Sequence, residues 1–407
     1  MKALVLCGGK PQIALIEELK KRGIFAILAD GNEKAVAVPY ANKFYKVSTL
    51  DIDGIEKVAV TEKVDMILSV CADQMLLVAA QLSEKLNLPC YIDYETAKNV
   101  SSKEYMKKIF MEHDIPTAKY IVGDMVSHES IDGLVFPLIV KPVDCYSSKG
   151  VKKVENYDEL VSAFEIAKNY SRTGTAIVEE FIDGPELSVD IYVESGKVNI
   201  LCIRSLDKIP NSEKFIICRG NYPAKISEKA RKQVQEVAQK MADAFGLKDT
   251  PMLIQMKINE EKIHILEFCA RTGGGIKYRL MPKVSGFDVV KAVLDLTLGE
   301  KPHVELKQLD TYIVDEFLYC NPGVLDHTEG FEELLESGII DHYEIYKPRG
   351  HSFGEINSSG DRVAYFSVIA NTEEELRRKH QIAREAVKAL DVNGIDLIRH
   401  EIIEIQS

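Results

Sequence analysis

The stretch Gln255–Gly275, QMKINEEKIHILEFCARTGGG, decides how this chain is read. Two alternating runs, PMLIQMKI and KIHILEF, flank the polar turn Asn259-Glu260-Glu261 and predict a β-hairpin. Gln255 stands on the first strand and Glu267 near the end of the second. Arg271 follows, then Gly273, Gly274 and Gly275. One oxygen donor from each strand suits Mg²⁺, a hard cation that takes oxygen ligands and shares its shell with phosphates. A planar guanidinium beside flexible backbone suits a phosphoryl group in transfer. Taken alone, the stretch fits equally a hairpin with a buried glutamate near a turn, so the rest of the chain must decide.

Composition narrows the choices. A chain of 407 residues exceeds one ordinary core and predicts about two to four domains. Its 46% hydrophobic and 28% charged residues are those of a soluble globular protein. A net charge of −12 argues against a general nucleic-acid partner, which needs clustered Lys and Arg. No apolar run reaches the roughly 18 residues of a spanning helix, so no membrane partner is expected. The opening MKALVLCGGK is too short and too strand-like for a signal peptide. The eight cysteines are scattered without a CxxC pair, as reduced thiols of a cytoplasmic protein would be.

The first hundred residues alternate strand and helix. KALVLCGG, FAILAD, DMILSVCAD and PCYI read as strands, with helices at 12–22 and 74–86 between them, which predicts a parallel sheet. Gly8 and Gly9 do not complete a GxGxxG fingerprint, because Lys10, Pro11 and Gln12 follow. Asp30 and Asp73, at strand ends, point at a cleft or cap helices. Residues 101–113 read as a helix with Ser101 or Ser102 as N-cap and Glu104 in its first turn.

Past Ile115-Pro116-Thr117 the pattern turns antiparallel. In FPLIVKPVDCYSSKGV, residues 136–151, a strand carries Lys141. The small residues Ser147, Ser148 and Gly150 then let backbone amides approach an anion, with Lys149 beside them, or form an ordinary surface turn. The Walker pattern GxxxxGK[ST] is absent. In AIVEEFIDGPELSVD, Glu179 and Glu186 flank an Asp-Gly-Pro turn. Free backbone groups around Phe181 and Ile182 suit an adenine edge, and Glu186 suits ribose hydroxyls; solvated turn carboxylates are the plainer reading. Lys103 and Lys141 become phosphate contacts if both face one pocket. Residues 204–225 read as a polar substrate loop or a plain connection, and residues 286–298 and 372–390 as helices. The turn holding Arg349, His351 and Ser352 is a candidate for closing the site.

The order Lys103, Lys141, SSKGV, EEFIDGPE, then Gln255, Glu267 and Arg271, resembles the ATP-grasp superfamily of carboxylate ligases over residues 1 to about 300. The last hundred residues resemble, more weakly, the C-terminal domain of its carbamoyl-phosphate-synthase-like and L-amino-acid-ligase-like branch. The resemblance implies a mixed α/β and α+β architecture. A parallel pre-ATP-grasp domain would cover 1–116 and an ATP-grasp domain of two α+β subdomains 117–300, with its lid at about 117–182. A small α+β domain would cover 301–407. It implies phosphate contacts at Lys103 and Lys141, and a loop of Ser147, Ser148 and Gly150 over the phosphates. It also implies an adenine hinge at Glu179, Phe181 and Ile182, a ribose carboxylate at Glu186, and metal ligands at Gln255 and Glu267. Arg271 would stabilise the acyl phosphate and its transition state. The usual second-metal Asn is Cys269 here, a soft and poor Mg²⁺ ligand.

The implied activity is an ATP- and Mg²⁺-dependent ligase, Mn²⁺ substituting, that activates a carboxylate as an acyl phosphate and couples it to an amine. Small-molecule carboxylate and amine substrates and a homodimer are the family expectations. Two alternatives stand beside it: a purine-pathway ligase such as phosphoribosylglycinamide synthetase, and an ATP-binding protein without ligase activity.

Overall fold

The computed structural model describes residues 1–145, 150–210, 212, 214–259, 261–307 and 309–403. At its start, β1 (Lys2–Leu6), α1 (Lys10–Lys21), β2 (Phe25–Asp30), β3 (Lys43–Lys46), α2 (Ile52–Glu62), β4 (Met66–Leu68) and α3 (Asp73–Lys85) build a parallel sheet of order β3-β2-β1-β4. The strands are apolar on both faces because helices cover both. Val5 and Leu28 pack with Leu15 and Leu19 of α1, while Leu4 and Ile27 pack with Val58 and Leu82. PCYI does not form the expected strand. Its Ile92 turns into the core beside Met106 and Phe110 instead of joining the sheet edge. The Asp30 carboxylate is half-buried and accepts the amides of Gly8 and Asn32, both at 2.7 Å. Two further helices follow, α4 (Tyr94–Ser101) and α5 (Lys103–Glu112). Ser102 is the N-cap of α5, accepting the Tyr105 amide at 3.3 Å, and Glu104 lies in the first turn as expected.

A second, four-stranded antiparallel sheet has the order β5-β8-β6-β7, from β5 (Tyr120–Gly123), β6 (Leu138–Pro142), β7 (Lys152–Val154) and β8 (Ala176–Glu180). Helix α6 (Tyr157–Tyr170) covers it, with Leu160 and Phe164 against Leu138, Val140 and Val178. Gly150 sits at the base of the loop after β6, at φ 71°, where a Cβ would press on Pro142 and Tyr170 at 3.0 Å. Only glycine fits both demands.

Next come β9 (Glu186–Glu194), β10 (Lys197–Lys208), β11 (Ile217–Tyr222), α7 (Glu228–Ala244), β12 (Thr250–Asn259) and β13 (Lys262–Cys269). Helices α8 (Lys277–Ser285) and α9 (Val289–Thr297) follow, then β14 (Tyr312–Leu318). Beyond β14 run β15 (Gly323–Val324), β16 (His327–Glu329), β17 (His342–Ile345), β18 (Ser352–Phe353), β19 (Ala364–Ala370) and β20 (Lys388–Leu390). Eight of these strands form one sheet of order β13-β12-β9-β10-β11-β14-β19-β17. The expected hairpin is its edge pair, and the segment after residue 300 supplies three of its strands. Val234, Ala238 and Met241 of α7 pack on Ile254, Met256 and Ile265. Much of residues 204–225 is strand rather than loop: the stretch completes β10 and forms β11, and Arg204 and Arg219 are buried in ion pairs with Asp315 and Glu316, each at 2.7 Å. The α8 helix was not expected.

Candidate active site

A cavity of about 430 Å³ opens between the four-stranded antiparallel sheet, the eight-stranded sheet and α5. Its floor follows from strand register. Glu267 lies opposite Gln255, Gln255 opposite Ser188, and Ser188 opposite Arg204, a transverse line over β13, β12, β9 and β10. Side chains at paired positions share a face of the sheet, so all four line the cavity. Lys277, from the first turn of α8, closes over this line. Its ammonium donates to Ser188 Oγ at 2.8 Å and is bonded to Asp190. Gly273 makes room for it, since a Cβ there would fall 2.9 Å from Lys277 Cγ. Arg271 is buried on the same wall, its guanidinium donating to Thr272 O at 2.6 Å.

The roof is cationic. Lys103, the first residue of α5, donates to Cys145 O at 2.8 Å and lies 3.9 Å from the Glu267 carboxylate. Lys141 projects from β6 and meets Glu179 Oε2 at 2.6 Å. Lys107 meets the other oxygen, Oε1, at 2.6 Å. Burial pushes the Glu179 carboxyl up, but the two lysines together outweigh it and hold it down at about 2. Burial in turn pushes Lys107 down, against the pull of Glu179.

At the other end of the cavity lies Phe181. Lys153 and Lys257 stand over its ring at 4.6 and 5.1 Å, and Phe215 packs at 6.1 Å. Burial lowers the Lys257 pKa. The backbone of this segment is less free than expected. The amides of Glu180 and Phe181 donate to Lys119 O and Pro137 O, at 3.0 and 2.9 Å. Ile182 lines the cavity, and Glu186 is paired with Lys208 at 2.9 Å.

The structure thus brings Lys103, Lys141, Glu179, Phe181, Ile182, Glu186, Gln255, Glu267 and Arg271 to one cavity. Gly150 is not itself on the wall, though its neighbours Pro142 and Val151 are, while Ser147 and Ser148 lie outside the described residues. Arg349, His351 and Ser352 are not on the wall either, and Arg349 pairs with Asp326 at 2.6 Å. From the same region Ser359 and Arg362 reach the cavity instead. Arg362 is stacked on Phe317 at 3.8 Å and donates to Tyr319 Oη at 2.9 Å. Sequence reading passed over Lys107, Ser188, Arg204, Lys277 and Arg362. One signal was available: Lys107 falls at i+4 from Lys103, on the apolar stripe of Met106 and Phe110, where a solvated lysine does not belong.

Gln255 and Glu267 give a divalent ion one amide and one carboxylate on a shared face, an arrangement that fits Mg²⁺ taking its other ligands from phosphate. Among the described residues no group of three or more His, Cys, Asp or Glu forms an all-protein cage. Cys269 lines the cavity two residues beyond Glu267. Among the described residues no helix is long and apolar enough to cross a membrane.

Residues 134–279 match the family model described as the ATP-grasp domain. The formate-dependent phosphoribosylglycinamide formyltransferase of Methanocaldococcus jannaschii is 24% identical over 319 residues, covering 74% of this chain and 78% of that protein. The phosphoribosylamine–glycine ligase of Lactococcus lactis is 24% identical over 344 residues, covering 78% of each. Among solved structures, the L-amino acid ligase of Bacillus licheniformis superposes with a TM-score of 0.82 at 18% identity, covering 96% of this chain and 98% of the other.

Proposed function

This chain belongs to the ATP-grasp superfamily, and we propose on that footing that it is an ADP-forming carboxylate–amine ligase. The observation that carries the reading is the single cavity in which Lys103, Lys141 and Arg271 face the Gln255–Glu267 pair. A carboxylate is a poor electrophile. Its oxygen attacks the γ-phosphorus of ATP, the bond to the β,γ-bridging oxygen breaks, and ADP leaves. An amine nitrogen then attacks the acyl carbon, the C–O bond to phosphate breaks, and the amine loses its proton.

The protein's share of this chemistry is positioning and charge. Lys103 and Lys141 meet the phosphates. Phe181 and Ile182 flank the base, with the ribose beside Glu186. Arg271 meets the charge that develops on the transferring group. Gln255 and Glu267 would hold Mg²⁺ or Mn²⁺, which when bound neutralises phosphate charge and polarises the phosphoryl group. The loop of Ser147, Ser148 and Gly150 is assigned to cover the phosphates and exclude water, which would destroy an acyl phosphate. We assign residues 1–116, 117–300 and 301–407 to the three family units, the third sharing its main sheet with the second, and infer a cytoplasmic enzyme acting on small molecules.

A second reading, a ligase of phosphoribosyl substrates, is favoured by the names of the relatives above. One assay separates the readings. ADP release is measured with ATP, Mg²⁺ and a panel of amino acids, other carboxylates and amines. Phosphoribosylamine with glycine and phosphoribosylglycinamide with formate complete the panel. Release dependent on both a carboxylate and an amine supports the proposal. ATP binding without release in any pairing refutes a ligase.

A further inference from the structure

Lys107 is 1% exposed, lies on α5 and is not on the cavity wall. Its ammonium nevertheless bonds Thr117 Oγ1 and meets Glu179 Oε1, while Thr117 donates to Ile265 O at 2.9 Å on β13. Lys141, which is on the wall, holds the second oxygen of the same carboxylate. The three charges sum to one positive charge, and Lys107 supplies the half of the compensation that never touches a ligand. Without Lys107 the cluster is neutral, and Lys141 faces an undivided carboxylate. A lysine so neutralised attracts a polyanion weakly.

We propose that Lys107 is a positioning residue for nucleotide binding: by occupying one oxygen of Glu179 it leaves Lys141 the surplus cation that a phosphate meets. The proposal rests on the reading of the cavity as an ATP site. A purely mechanical role, Lys107 pinning α5 to the four-stranded sheet and the eight-stranded one, predicts damage that no second charge change repairs.

The two roles separate in the binding of a non-hydrolysable ATP analogue with Mg²⁺, measured by calorimetry on the full chain. Lys107→Met should weaken binding about ten- to hundredfold, the worth of one charge-assisted hydrogen bond. Adding Glu179→Gln removes the opposing charge, and the double variant should bind within about threefold of the wild type. Binding by the wild type but an unchanged Kd in Lys107→Met overturns the proposal, as does a double variant no better than the single one. Failure of the wild type to bind refutes the ATP site itself, a separate outcome. Should Lys107→Met not fold, as read by circular dichroism, Glu179→Gln alone decides. It should bind at least as tightly as the wild type, and a loss of tenfold or more overturns the proposal.

Discussion

Gln255 lies directly opposite Glu267 in the register of β12 and β13. The register steps from Met256–Ile265 to Gln255–Glu267, and this bulge at Leu266 turns Glu267 onto the face of Gln255, without a loop to position either donor. A neutral amide leaves the pair with one formal charge, so Gln255→Glu should lower the Mg²⁺ concentration for half-maximal turnover by about tenfold, because cation affinity follows ligand charge. Glu267→Ala leaves no carboxylate and should reduce turnover by about a hundredfold or more. A Mg²⁺ titration of ADP release checks both, and wild-type turnover in Glu267→Ala would refute the metal assignment.

Arg271 is buried beside this pair. Assigned to the charge of the transferring group, it should matter more to turnover than to ATP binding. Arg271→Ala is expected to lower kcat about 10²- to 10³-fold while the Kd for an ATP analogue moves little. A loss confined to Kd would place Arg271 among the ground-state contacts instead.

The Glu179 carboxyl is held at about 2 in the folded protein, below its ordinary 4.5. A carboxylate with a depressed folded pKa contributes stability above its unfolded pKa and loses it as pH falls through the folded value. The stability gap between wild type and Glu179→Gln should therefore be constant above about pH 5 and shrink steadily from there towards pH 2, by about 3 kcal/mol in full. Urea unfolding of both proteins across that range measures it. A gap that widens on acidification contradicts the assignment.

A Cβ on Gly220 would lie 1.7 Å from Arg204 Nη2, which is in the buried pair with Asp315. Gly220→Ala must displace the guanidinium and leave a carboxylate poorly paired, at a cost of about 3 kcal/mol or more. Thermal unfolding should show a clearly lowered midpoint. An unchanged midpoint would mean that Arg204 relaxes freely into the cavity.

Much of the site was legible because its chemistry lies on regular elements. The alternation of PMLIQMKI and KIHILEF predicted both strands, but the alignment of Gln255 with Glu267 depends on a bulge at Leu266 that alternation does not show. Lys103 was found at a helix start, and Ser102 did cap that helix. What escaped depends on partners distant in sequence. Arg204 and Asp315 are 111 residues apart, so nothing local marks their pairing. The pairing of the Glu179 side chain with Lys107 and Lys141 escaped for the same reason. The short, half-buried β3 went unread because KFYK has too little alternation to distinguish a strand from a turn. PCYI was misread for the opposite reason: four residues of apolar character state burial, not pairing.

The eight-stranded sheet crosses residue 300 without a break, for β11 is bonded to β14 at Arg219–Glu316 and Gly220–Asp315. A fragment ending at Gly299 would strip β11 of its neighbour and present a row of unanswered amides and carbonyls, together with two arginines whose counter-ions had been removed. Such a fragment invites edge-to-edge aggregation. The last hundred residues are therefore not an appendage that can be cut away, but part of the sheet that carries the cavity floor.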